Sequence, residues 1–181
     1  MTALSSAQSA SPAEPASGVE LDDLLAELSR LLWKQRELID VLKYRLEVQE
    51  LVLAAGRDHR LQAALDEVEV AMDEIRRSER SRDGVVRQCA ALLGLSDKAS
   101  LGDIRQRVDA SWADVLGEHQ SALLVLVADT ERLAGANRER SLRGANEARA
   151  VLDAVTGSST ATAYGPSVRG QSRPALLDRR V

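Results

Sequence analysis

Between Glu20 and Ala55, Leu25, Leu32, Ile39, Leu46 and Leu53 recur every seven residues, and this row leaves the chain few folds to choose from. Leu24, Leu31, Leu38 and Val52 flank the row on one side, with Leu21, Leu28 and Leu42 completing a third. A stripe that broad predicts one continuous helix, roughly 50 Å long at about 1.5 Å per residue, that must bury its side against other helices. Gln35 and Gln49 interrupt the third row. They read as edge positions that see water, the alternative being buried polar groups that fix register.

The punctuation that follows sets the topology. Gly56 can close the first helix in a left-handed conformation, and Asp58 is placed to cap the next. So short a connection forces an antiparallel hairpin. The second helix, expected over about 59–93, shows Leu61, Leu65, Val68, Met72 and Ile75, then a polar interval from Arg76 to Asp83, then Val86, Cys89, Leu92 and Leu93. That interval reads as a solvated face of mixed charge, with the helix either running on exposed or bending near Gly84. Gly94-Leu95 has the form of a helix stop. Ser100 and Asp103 stand at capping-box spacing before a short connecting helix over about 101–109, and Ser111 is a candidate cap for a long helix over about 112–155.

That last helix changes character along its length. Leu116, Leu123, Leu126, Val127 and Leu133 recur at three- and four-residue spacing, as packing against neighbours requires. Beyond them the face runs through Asn137, Ser141, Ala145, Ala148, Leu152 and Val155, mostly small or polar, with Gly135 and Gly144 in the same half. Each glycine lowers helix propensity by about 0.8–1 kcal/mol relative to Ala. The half-helix is therefore weak unless something packs on it. Two readings fit: a docking surface, or a tapering bundle end where small residues let helices approach.

Composition narrows the class. The chain has 181 residues, no Phe, and only Trp33, Tyr44, Trp112 and Tyr164 as aromatics, so its interior is a Leu/Val/Ala seam rather than a bulky centre. The expected fold is all-α: an elongated antiparallel helical bundle or coiled coil of three long helices with a short connecting helix. Residues 1–19, rich in Ser and Ala with Pro12 and Pro15, are expected to be a disordered N-terminal segment, and 157–181 a flexible tail, leaving 20–156 as the bundle. The tail is basic, with Arg169, Arg173, Arg179 and Arg180 against Asp178, and carries Tyr164-Gly165-Pro166 and a short sticky end around Leu176-Leu177.

Other classes lose support. A net charge of −4 with interspersed signs gives no field for DNA or RNA, and stacking aromatics are scarce. The start lacks the pattern of a secretion signal, and the longest apolar run, Ala122 to Ala128, is too short to insert stably in a membrane. A cytoplasmic location is the expectation, with Cys89 alone ruling out an intramolecular disulfide. His59 and His119 stand singly and read as exposed histidines, so no metal site is expected. With no phosphate loop and no nucleophile beside a base, neither a cofactor nor catalysis is expected.

Several landmarks, taken in order, resemble the FlgN-type flagellar export chaperones. They are the leucine-rich opening helix, Ala54-Ala55-Gly56 at the first break, Leu93-Gly94-Leu95 closing the second helix, and Asn137-Arg138 with Ser141 in the third. Leu152 to Gly157, Tyr164-Gly165-Pro166 and Leu177-Asp178-Arg179-Arg180 extend the likeness to the end of the chain. The resemblance implies a non-enzymatic chaperone of the bacterial flagellum. It would bind helical terminal segments of hook-associated proteins, prevent premature assembly and deliver them to the type III export apparatus, itself a further candidate partner. It also implies a client seat on the C-terminal part, which here carries over to Leu126, Leu133, Asn137, Ser141, Ala145, Ala148, Leu152 and Val155, with Tyr164 in the tail. The alternative left open is a structural or adaptor coiled coil that self-associates through its first helix.

Overall fold

The computed structural model describes residues 15–156. The stretches 1–14 and 157–181, with the segments expected there and Tyr164, lie outside the described residues. Within them four helices follow in order: α1 (Pro15–Ala54), α2 (Asp58–Leu92), α3 (Leu101–Arg105) and α4 (Ala110–Thr156). The described residues contain no strand, and the architecture is an all-α bundle. α1 starts earlier than the leucine pattern does, at a proline, whose fixed φ and missing N–H suit a first helical position.

Both glycine stops form as the sequence predicts. Gly56 (φ 61°) and Gly94 (φ 65°) are left-handed, and each is followed by a Schellman pair of bonds. Arg57 N–H donates to Val52 O (3.1 Å) and Gly56 N–H to Leu53 O (3.3 Å); Leu95 N–H donates to Ala90 O (2.8 Å) and Gly94 N–H to Ala91 O (3.2 Å). The capping box at Ser100 and Asp103 is complete, and its bonds hold the Asp103 carboxyl below the usual range. Two expected caps are corrected. Asp58 makes no capping bond, because Arg57 occupies the cap position and Asp58 is already in the first turn. Asp109, not Ser111, caps α4: its Oδ1 accepts from the N–H groups of Ser111 (2.8 Å) and Trp112 (3.1 Å). α3 is shorter than expected: it ends at Arg105, with Gln106 in the cap position donating its N–H to Gly102 O (3.3 Å).

α1 is the central rod. On one side it meets α2 antiparallel, with Gln35 opposite Arg82 and Arg45 opposite Glu67. On the other it meets α4 in parallel: Asp22 pairs with Trp112, Ser29 with His119, Lys43 with Asp129, and Glu50 with Arg140, all 86 to 90 residues apart in sequence. α2 and α4 touch α1 closely but not each other, as far as close Cα approach goes among the described residues. α3 lies across α4 and α2 at the base, where Arg105 Nε donates to Ala113 O (3.0 Å) and presses on Gly117 so closely that a Cβ there would lie 2.9 Å from its guanidinium carbon.

The core is deepest at that base. Leu25, Leu28, Leu32, Cys89, Ile104, Leu116 and Leu123 are fully buried. Burial pushes the Cys89 thiol up to about 11, so it behaves as a small apolar side chain. Three polar readings are corrected here. Gln35 and Gln49 are buried, not edge positions. α2 runs unbroken through residues 76–83, and inside that interval Ser78 and Arg82 are buried, with Arg82 Nη1 donating to Gln35 Oε1 (3.0 Å) and Nη2 to Asp83 Oδ1 (3.1 Å). His119 is buried too, Nε2 bonded to Ser29 Oγ (3.0 Å) and the ring edge-on to Trp33 at 5.3 Å. Gln35, Gln49, Arg82 and His119 each find a partner on another helix, while the buried Ser78 Oγ has none among the described residues.

Candidate docking surface

The parallel register of α1 and α4 decides where the bundle stops covering itself. At a separation of about 90 residues, the end of α1 at Ala54 lies opposite residue 144 or so of α4. α2 begins at the same tip, just after the Gly56 turn. The last dozen residues of α4 therefore project roughly 18 Å beyond both neighbours, at about 1.5 Å per residue.

Side-chain exposure follows that geometry. Leu133 and Asn137 are buried, and Leu126 is half-buried against the core. Asn137 Nδ2 donates to Leu46 O (2.7 Å) and Gln49 Oε1 (3.1 Å), which ties α4 to the last turns of α1. Ser141 is half-buried, its hydroxyl returning to Asn137 O (2.9 Å), and beside it Arg140 reaches Glu50 Oε1 (3.4 Å). From Leu142 to Ala154 every residue is exposed. Leu142 (58 %), Val151 (62 %) and Leu152 (61 %) are large apolar groups in that stretch, set among Gly144, Ala145 and Ala148.

The nine residues singled out from the sequence thus divide. Leu126, Leu133 and Asn137 belong to the chain's own interior, because α1 still runs beside them. Ser141 marks the border. Ala145, Ala148 and Leu152 lie on the projecting part and Val155 in its last turn, while Tyr164 falls outside the described residues. The sequence reading missed Val151. The signal was present: Leu116, Leu123, Thr130 and Asn137 form the buried seven-residue row, and the next members are Gly144 and Val151. The face presented beyond α1 is the same face α1 fills lower down.

Among the described residues no group of three or more His, Cys, Asp and Glu is placed to hold a metal ion, and no helix is long and apolar enough to cross a membrane. The exposed seam of α4 can offer shape and apolar area to another helix, and little else.

The family model described as FlgN protein matches residues 24–171, most of the chain. The chain belongs to the FlgN family. It is a flagellar export chaperone of that type, a class concerned with flagellum assembly and protein export rather than with catalysis. No curated protein and no solved structure matches it. The match covers α1 from its first buried leucines, both glycine stops, the whole of α4 and part of the segment beyond, so it takes in the projecting surface as well as the bundle that supports it.

Proposed function

We propose that this FlgN-family chain holds the helical terminal segments of hook-associated proteins on the projecting part of α4, in the cytoplasm, keeps them from assembling early and passes them to the export apparatus. The observation that carries the reading is the unbroken exposure of residues 142–154 on a helix whose own seam is buried up to Asn137. An amphipathic helix laid there would occupy the place α1 vacates and set its large side chains against Gly144, Ala145 and Ala148. Small residues allow close approach, and the modest area leaves the complex easy to dissolve before export.

Self-association through the first helix is the weaker reading. The seam of α1 is already filled by α2 and α4, so a dimer built on it would have to displace them. The test is co-purification of the full chain with a hook-associated protein. Val151→Asp with Leu152→Asp is expected to abolish capture while leaving the thermal transition in place, whereas Leu32→Asp unfolds the bundle. Undiminished capture by the α4 double variant would overturn the assignment.

A further inference from the structure

The seam between α1 and α4 is bordered by charges, and where α1 covers it these are paired between the two helices. Along one border Lys43 Nζ stands 3.2 Å from Asp129 Oδ2, and Arg140 Nη2 stands 3.4 Å from Glu50 Oε1. α1 thus answers an anion on α4 with a cation, and a cation with an anion.

Asp129, Arg140 and Glu147 follow one another at eleven and seven residues, about three turns and then about two, so they lie on one line along α4. Glu147 is the next member of that border, and it is exposed. The offset of 90 residues that joins Glu50 to Arg140 would set position 57 against it. Gly56 has by then turned the chain, and Arg57 occupies the N-cap of α2 instead. Among the described residues Glu147 makes no hydrogen bond or ion pair.

The opposite border is basic. Arg149 lies roughly 200° further round the helix than Glu147, on the line that Val127 and Arg138 form below it at eleven-residue steps. It too is exposed and makes no hydrogen bond or ion pair among the described residues, whereas nearby Arg143 is held by Glu139 at 2.9 Å. Gly144, Ala148 and Val151 run between the two borders.

Resting on the reading of α4 as a client seat, we propose that these borders select the charge pattern of the client. The occupant is an amphipathic helix whose apolar stripe is edged by Lys or Arg on the side that meets Glu147 and by Asp or Glu on the side that meets Arg149. A helix with two acidic or two basic edges meets a like charge whichever way it lies. Opposite edges also set direction, because turning the client end for end exchanges them. Glu147 and Arg149 are therefore specificity-determining residues, while Val151 and Leu152 supply apolar contact.

The test is the affinity of the full chain for a purified hook-associated protein, at low salt and at about 0.5 M, where charges are screened within a few ångströms. Glu147→Gln and Arg149→Gln are each expected to weaken capture about twofold at low salt, and Glu147→Lys and Arg149→Glu about fivefold, with the differences closing at high salt. Gln, Glu, Lys and Arg have similar helix propensities, so the projecting part keeps its helix in every variant. Val151→Asp with Leu152→Asp abolishes capture at either salt. If the charge variants bind like the unaltered chain at low salt while the apolar double variant fails, the selection by charge is overturned and the seat stands. Equal weakening at both salts overturns it as well, since the loss is then not electrostatic. If the apolar double variant binds undiminished, the seat itself is lost and its borders lose their role with it.

Discussion

The two ends of the bundle are built from the same helices and differ in what fills the space between them. At the base, α3 closes the end, Leu25, Leu28, Leu32, Leu116 and Leu123 are fully buried, and Ile104 plugs the gap. Toward the tip α2 contributes Ala64 and Ala71, α4 contributes Asn137, and beyond Ser141 nothing else of the described chain runs beside α4. Burial is concentrated at one end and falls away toward the other. A helix whose apolar seam outruns its partners is held rigid by the portion that is covered and is free to bind with the portion that is not.

Substitutions in the seam give the largest contrast between the ends. Leu116→Ala removes a fully buried side chain and is expected to cost about 2–5 kcal/mol in chemical denaturation. Val151→Ala, in the same seven-residue row, should stay within about 0.5 kcal/mol of the unaltered protein. A comparable loss at both positions would mean that something covers the projecting part and would erase the distinction.

The buried polar layer midway sharpens the picture. Arg82→Leu leaves Gln35 Oε1 without its donor in a dry seam and is expected to destabilise by about 1–3 kcal/mol. Gln35→Leu combined with Arg82→Leu removes both groups and should recover most of that loss, since buried polar pairs are often no better than apolar ones. A double-mutant cycle in denaturant measures the coupling, and additive losses would show that the bond contributes nothing.

How far the sequence disclosed this arrangement depends on the range of the interaction. The heptad row of α1, the left-handed glycines at 56 and 94 and the Ser100–Asp103 box are local signals, and each is found where its spacing puts it. Arg82 and Gln35 are 47 residues apart, so neither betrays the other in a linear reading, and a charged interval looks solvated until the partner helix is in place. His119 was hidden similarly by Ser29 and Trp33 on α1. The border at Ser141 was the least legible, because it is set by where α1 ends against α4. The row through Leu116, Leu123, Thr130 and Asn137 gives no sign of where its inner half stops, and so Asn137 read as a docking position.

The glycines of α4 probe the same border with smaller effects. A Cβ at Gly144 meets nothing within 4 Å, so Gly144→Ala should raise helix propensity by about 0.8–1 kcal/mol without a clash. Because the projecting part frays separately from the core, the gain is expected as added helicity in circular dichroism and slower amide exchange over 142–154, with the main unfolding transition hardly moved. Gly117→Ala must instead displace Arg105 and is expected to lower the main transition.

Titration separates the base from the rest through His119. Burial lowers its pKa below the ordinary 6.5, and the positive charge of Arg36 acts the same way, while Glu118 opposes them. The unfolded chain therefore takes up a proton at a higher pH than the folded one. Stability due to the neutral ring is complete above about pH 6.5 and is lost as pH falls from there through the folded-state value. Asp103 and Asp109 are held below the ordinary 3.8 by their capping bonds, so their contribution disappears only in a separate, more acidic range. Thermal melts from pH 7.5 to 5 should thus show a decline that His119→Gln flattens. If the projecting part of α4, which contains no histidine, holds a client helix as proposed, capture should persist until the base begins to open. If capture fell before the melting temperature did, the docking face would be answering to some other titrating group, and the division of labour between the two ends would have to be redrawn.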